Sequence, residues 1–401
     1  MINKKLFIIA ASVWQIPVIQ KAQSMGLAVV ATDRNPDAPG LKIADFAEVV
    51  DVLDMEGMLN AALKHRIDGI IAEQTDISVP TAAYIAEKMG LPGVGYETAL
   101  NATNKWLMRE KCKQAGIPAP EYRKVNTLKE ALNATEEIGL PIVMKPVDQQ
   151  ASRGVAKIWD INNVSKWFDK SKSYSREGSI LIEKMMFGTE SSAESFVIDG
   201  KVHVFGICDK TKGPPPYSYD IRLIYPAFFS DETMSEIKTI NEKIIKAIGI
   251  NMGITHAEYI ITDKGVRLIE IAARGCGSGV ATMLIPAITG VDIIKVKIKQ
   301  AIGEETQLDK HRFQKSGILE FLLLPQGKIK SITGLEIAKK IKGVIDIKYN
   351  AGIGDTIGVI ESGEYRPGHL LAFGESRKEV LAIAEEIKNI VKVDMENINV
   401  K

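Results

Sequence analysis

The first hundred residues alternate apolar runs with amphipathic ones, and no other feature restricts the fold of this chain as strongly. Residues 6–10 read as an apolar strand, 15–25 as a helix stopped by Gly26, and 27–31 as a second strand closing on Asp33. A short strand at 49–52, a helix at 55–64, a strand at 68–72 and a helix at 79–89 ended by Gly90 complete the series. Strands separated by helices in this way form a parallel sheet covered on both faces. The spacing therefore predicts a Rossmann-like domain over residues 1–104. Asp33 stands where an acidic residue could hold a ribose, but the first turn, Ala10-Ala11-Ser12-Val13-Trp14, lacks the glycines that let a backbone approach a pyrophosphate. A nicotinamide cofactor is not expected. Lys4, Lys5 and the apolar residues 6–9 imitate the start of a signal peptide, yet the run is short and Gln15 and Pro17 follow it, so a buried first strand is the better reading.

The pattern then changes. A helix at 105–115 stops at Gly116-Ile117-Pro118, and residues 118–190 mix strands with a helix near 128–138. A strand-rich stretch to about 227, a helix at 231–248 and two strands around a tight turn at Asp263 follow. Strands at 317–324 and 343–349 with helices at 335–341 and 378–391 predict a small α+β unit over 309–401. The chain has 401 residues, 45% hydrophobic and 25% charged, with a net charge of +1, so no global field favours nucleic acid or a membrane surface. No apolar stretch is long enough to span a bilayer. Cys112, Cys208 and Cys276 are far apart and form no CxxC pair, which argues against a disulfide framework or a zinc site and predicts a reduced, cytoplasmic protein.

The chemistry concentrates in three segments. In residues 256–270 two apolar runs flank Asp263-Lys264-Gly265, which predicts a hairpin with a three-residue loop. That register sets Glu258 opposite Glu270 on one sheet face. Like charges across a ladder repel, so a cation between them explains the pair, and magnesium, held by carboxylates and phosphate oxygens, fits. A solvated acidic pair on an outer face is the plainer alternative; the apolar neighbours and the following loop, Ala272 to Gly279, weigh against it. In that loop Arg274 can grip a carboxylate or phosphate, and Gly275 and Gly277 can let backbone N–H groups face an anion. Second, residues 140–146 form an apolar strand ending on Lys145, whose charge suits a phosphate, and Ser152-Arg153-Gly154 could close over the same group. Third, residues 180–186 run from an apolar strand into Glu183-Lys184-Met185-Met186, a surface for a flat base, with Glu190 placed to accept from ribose hydroxyls. No P-loop, zinc-helix or nucleophile-elbow motif competes.

These segments, in this order, resemble the ATP-grasp superfamily over nearly the whole chain, and most of all its L-amino-acid ligases and the enzymes similar to the carbamoyl-phosphate synthase large chain and biotin carboxylase. The resemblance implies an α/β and α+β architecture: the Rossmann-like domain, a nucleotide domain over 105–308 with a mobile lid at about 118–190, and the small C-terminal domain. It implies that ATP is bound by Lys105, Lys145, Ser152, Arg153, Gly154, Glu183, Lys184, Met185, Met186 and Glu190, with Mg2+, or Mn2+ in its place, on Glu258 and Glu270. It makes Arg274, Lys145 and Arg153 catalytic, and His256, Arg267, Arg274, Gly275 and Gly277 contacts of the substrate, with His256 and Arg267 also candidates for a general base. Ala272 stands where many members carry a metal-binding Asn. The segment 209–217 resembles the substrate-side loop of amino-acid ligases, and residues 365–369 and 374–376 the closing domain of that branch. The implied reaction is phosphorylation of a small-molecule carboxylate followed by attack of an amine, in an enzyme for which a homodimer is an expected assembly. Bicarbonate activation, as in carboxylases, and a non-catalytic ATP-binding regulator are the two alternatives.

Overall fold

The structure, a computed structural model, describes residues 4–308 and 315–396. The N-terminal alternation folds into a four-stranded parallel sheet in the order Phe46–Val49, Ala28–Asp33, Lys5–Ile9, Gly69–Ala72. The third strand in sequence lies three residues before the stretch 49–52 that its valines suggest. Beyond Val49 the chain must turn away, because Asp54 caps the helix Met55–His65 by accepting from the Gly57 N–H at 2.9 Å. Asp33 is engaged locally, accepting from the Ala11 and Asn35 N–H groups.

The helix Lys105–Gln114 leads into an antiparallel sheet of four strands, Tyr122–Val125, Ile180–Lys184, Ile142–Pro146 and Ala156–Ile158. Helices Leu128–Ile138 and Val164–Tyr174 cover it, burying Ile138, Trp167 and Phe168 in a core of their own. The first of these helices starts with a full capping box between Thr127 and Glu130.

The largest sheet has eight strands, ordered Gly265–Ala272, Gly253–Thr262, Thr189–Ile198, Lys201–Lys212, Asp220–Tyr225, Ser316–Phe321, Gly368–Gly374 and Val344–Tyr349. Its last three strands come from the C-terminal region, whose main sheet is thus an extension of the central one. The edge of Asp220–Tyr225 would otherwise present unpaired backbone groups. Pairing Leu223 with Leu319 closes that edge, and an ion pair between Arg222 and Glu320 locks it. A separate three-stranded sheet, Thr356–Ile357, Gly327–Thr333 and Lys392–Glu396, completes the C-terminal region. One apolar cluster containing Leu6, Ile19, Phe196, Leu284, Ile298, Leu319 and Leu371 joins the N-terminal sheet to the central sheet. Among the described residues no helix is long and apolar enough to cross a membrane.

Candidate active site

The hairpin carrying the two glutamates differs from its expected form. Thr262 pairs with Gly265, so the turn has two residues, Asp263 and Lys264, and the register up to Tyr259–Leu268 follows from it. That register alone would set Glu258 against Ile269. An extra residue, Ile269, bulges from the ladder instead, and beyond it Glu258 pairs with Glu270. The carbonyl of Ile269 accepts from Arg109 Nη2 at 2.9 Å, which holds the bulge from behind the sheet.

Glu258 and Glu270 form a wall common to two cavities. The first, of about 600 Å³, is lined by Lys105, Lys145, Ser152, Lys157, residues 183–190, Lys210 and Lys212. Lys145 is buried and its ammonium lies 2.5 Å from Glu183, which also meets Arg109 Nε at 2.6 Å. Burial would raise the Glu183 carboxyl, but Arg109 and Lys145 outweigh it and bring it to about 2. Burial also lowers Lys145 despite that carboxylate. The Glu183 side chain is therefore turned into an ion-pair network, and Lys184 is spent on the carbonyls of Gly139 and Leu140. Glu190 lies 3.0 Å from Lys212. Lys105 bridges Glu270, at 2.9 Å, and the Gln149 carbonyl. Ser152 lines this cavity, whereas Arg153 reaches away to Glu364, 3.7 Å distant, and Gly154 packs its left-handed backbone against Pro146 and Tyr174. Neither Arg153 nor Gly154 lines a cavity, because the loop turns its Ser152 face inward.

The second cavity, of about 550 Å³, contains Trp14, Gln74, His256, Arg274, Gly277 and Arg366 on its walls. Arg274 is nearly buried and donates through Nε to Asp76 at 2.6 Å; burial would lower its pKa, but Asp76 more than compensates and the charge is permanent. His256 sits between Glu194, 2.5 Å from Nδ1, and Glu258, 3.1 Å from Nε2. Burial opposes its protonation, yet Glu194 and its neighbours hold it well above the usual histidine value. With a carboxylate at each ring nitrogen, His256 is disposed to donate to both rather than to accept a proton as the general base that the sequence reading allowed. Glu258 is in turn held well below the usual carboxylate range: burial would raise it, and Lys210, His256 and Lys212 overcome that.

Part of the glycine-rich loop gives its N–H groups to the protein's own side chains: those of Gly275, Cys276 and Gly279 go to Glu73, Glu194 and Gln74, while Gly277 lines the second cavity. Gly275 is needed instead for close approach, since a Cβ there would meet the Glu73 carboxylate at 2.5 Å. Arg267 lies at the hairpin end, donating to the carbonyls of Lys264 and Val266, and lines neither cavity. Of the segment 209–217, Lys210, Thr211, Lys212 and Pro215 line the first cavity, and of these Lys210 also reaches the second.

Several residues at the site carried a signal that motif reading missed. Lys210 and Lys212 alternate along the strand Lys201–Lys212 and so share a face, while Asp209, just before them, points away to Arg377. Arg109 follows Lys105 by one helical turn, and both are buried on that face. Asp76 and Glu194 come from distant segments and left no local trace. Five of the seven non-glycine residues with left-handed backbone among those described, Ala10, Gln74, Ala151, Ser152 and Ser278, line one of the two cavities. Such strain is held where surrounding structure over-determines it, and functional sites are where it collects.

Residues 138–282 match the ATP-grasp domain, and residues 320–396 match the L-amino acid ligase C-terminal domain 2. An uncharacterized protein of Sinorhizobium fredii, y4rH, is 29% identical over 311 residues, covering 76% of this chain and 64% of that protein, so the chain spans less than two thirds of that relative. An L-arginine-specific L-amino acid ligase of Bacillus subtilis is 24% identical over 351 residues, 85% of this chain and 84% of the relative. The crystal structure of an L-amino acid ligase from Bacillus licheniformis superposes with a TM-score of 0.85 at 24% identity, covering 98% of this chain and 99% of that one, which establishes a shared fold.

Proposed function

Because this chain carries an ATP-grasp domain followed by an L-amino acid ligase C-terminal domain, we propose that it is an ATP-dependent carboxylate–amine ligase, of the kind that joins amino acids. The observation that carries this reading is the Glu258–Glu270 pair on a wall between a lysine-rich cavity and a second polar one. The first cavity takes ATP, with its base toward residues 183–187 and Trp159 and its phosphates toward Lys105, Lys145 and Lys210. The second takes the carboxylate and the amine.

Glu258 and Glu270 offer oxygen donors only, in direct opposition, and now satisfy their charges with Lys210 and Lys105; this donor set fits a hard divalent cation such as Mg2+. When bound, it would neutralise phosphate charge and orient the γ-phosphoryl group. Ala272 contributes no ligand. The lysines would stabilise charge on the phosphoryl group as it passes from ATP to a carboxylate oxygen with release of ADP, and catalysis of that step is mostly positional and electrostatic. Arg274, held in line by Asp76, would grip the carboxylate and then the oxyanion that forms when the amine attacks the acyl carbon. Loss of a proton from the amine and departure of phosphate complete the amide. Arg153 serves here to fasten the lid loop to the Glu364 loop rather than to touch phosphate.

The test is an ADP-release screen with amino acids alone and in pairs, sugar acids and bicarbonate, followed by mass analysis of the products. An amide that appears only with ATP and Mg2+ supports the reading. ADP release with bicarbonate and no amine would replace it with carboxyphosphate chemistry.

A further inference from the structure

The second cavity is crowded with charge, and nearly all of it is matched. Arg274 is paired with Asp76, Lys210 with Glu258 and Asp220, and His256 with Glu194 and Glu258. Glu270 is met by Lys105, Glu364 by Arg153 and His369 by Asp346. Arg366 is different. It forms no ion pair with any described carboxylate. Its Nε donates to the Gly363 carbonyl at 2.9 Å and Nη1 to the Asp220 carbonyl at 3.2 Å. Its guanidinium carbon lies over the Phe321 ring, 3.3 Å from the centroid, and both residues line the cavity. The ring and the two carbonyls fix the plane of the fork while three of its five N–H donors are left for a ligand. The carboxylate that acts on it most strongly, Asp220, is already shared by Lys210 and Lys212. Burial brings the Arg366 guanidinium down to about 10, as expected of a cation whose counter-charge is yet to arrive.

We propose that Arg366 is the anchor for a substrate carboxylate that does not react, so that the amine joined by this enzyme is itself a carboxylate anion: an amino acid rather than a simple amine. The inference rests on the ligase reading above and adds the residue and the group it recognises. A planar fork held by stacking suits a carboxylate, which accepts two parallel N–H bonds from it. The placement also separates two jobs. Arg274 stands beside Glu258 and Glu270 at the wall where phosphoryl transfer is proposed, whereas Arg366 rises from the C-terminal loop on the far side of Lys210 and Asp220. One substrate is thus gripped at its reacting carboxylate and the other at its spectator carboxylate. Arg366 neighbours Glu364, the lid contact of Arg153, and the Gly363 N–H donates to the Ala151 carbonyl of the lid loop, so the anchor is in place when the lid is docked.

The experiment compares the full-length enzyme with MgATP and one fixed carboxylate, offering the amine substrate as the free amino acid and as its carboxamide. The wild-type KM should be roughly 10- to 100-fold lower for the acid, the range for a charge-assisted bond pair. In R366Q the KM of the acid should rise to that of the carboxamide, and R366K, with a point charge but no fork, should lie between. Equal KM values for acid and carboxamide in the wild type, or an R366Q enzyme that keeps the preference, would overturn the proposal. Absence of amide product with every amine offered would sink the ligase reading instead. Binding of the dipeptide and of its carboxamide in the presence of MgADP, followed calorimetrically, reads the anchor without turnover. Circular dichroism of R366Q guards against a folding defect, and R366K carries the test if that variant is unstable.

Discussion

The two cavities share Glu258, Glu270 and Lys210 but differ in charge. Six lysines and four glutamates line the first, whereas the second, histidines aside, has three cations against four carboxylates. A surplus of ammonium groups around a half-open cavity is costly unless an anion fills it, and a triphosphate with its metal is of that size and charge. The second cavity is closer to balance and polar, and it holds its groups by paired contacts rather than by a field. The shared wall is where the two kinds of site have to cooperate.

The sharpest way to break this comparison is to damage the wall. E270Q keeps the shape and removes one of the two carboxylate charges proposed to hold the metal, and should reduce ADP release by on the order of 1,000-fold or more with every carboxylate offered. A melting temperature close to wild type would assign the loss to chemistry. Undiminished turnover would end the two-cavity account altogether.

Next in size are losses that should fall on one side only. K145A removes a cation from the first cavity and should raise the KM for ATP by roughly 10- to 100-fold, with little change in the KM for the amine. D76N leaves the first cavity intact but frees Arg274, and should lower kcat by about 10- to 100-fold because a misplaced group close to the reacting atoms is expensive. Steady-state kinetics in both substrates would show whether the effects separate. Equal effects of both variants on both KM values would mean that the wall does not divide two sites.

The ion-pair network of the first cavity should also carry an acid signature. Glu183 has its folded pKa depressed to about 2 against an ordinary 4.5, so its contribution to stability is complete above the ordinary value and is lost as pH falls from 4.5 toward 2. That shift corresponds to roughly 3 kcal/mol. E183Q should flatten the fall of melting temperature across this window. It should also lower stability at pH 7, since Arg109 and Lys145 then lack their counter-ion in a buried setting. A variant whose acid melting curve parallels the wild type would remove Glu183 from the network.

Much of this was legible in the chain. Helices 128–138 and 231–248 have the bounds that their periodicity and caps announce, because Thr127 and Ser230 cap them and Gly139 and Gly249 stop them. The opposition of Glu258 and Glu270 was anticipated too, but through a three-residue loop, whereas a two-residue turn and a bulge at Ile269 produce it. Residue count along a hairpin does not reveal where the extra residue goes; only packing behind the strand, here Arg109, decides it. The continuity of the central sheet into the C-terminal region was hidden for a related reason. Periodicity marks a strand's faces but not its partner. Charge pairing was the least legible: Asp76 with Arg274 spans 198 positions and Glu194 with His256 spans 62, and neither has a local signature.

The smallest expected effect concerns a residue that sequence context favoured. Arg267 precedes Glu270 by three positions, close enough to suggest a shared role. The two share a sheet face, but the Arg267 guanidinium turns back to the end of the hairpin, where it closes over the carbonyls of Lys264 and Val266. The bond to the Lys264 carbonyl is exposed and the one to Val266 only partly buried, so water can take their place and R267A should cost well under about 1 kcal/mol of stability. Both KM values and kcat should stay within about twofold, since no uncompensated charge is left in either cavity. A larger rise in the KM for one substrate would show that a cavity reaches the hairpin end, and the boundary drawn at Glu270 would have to move outward.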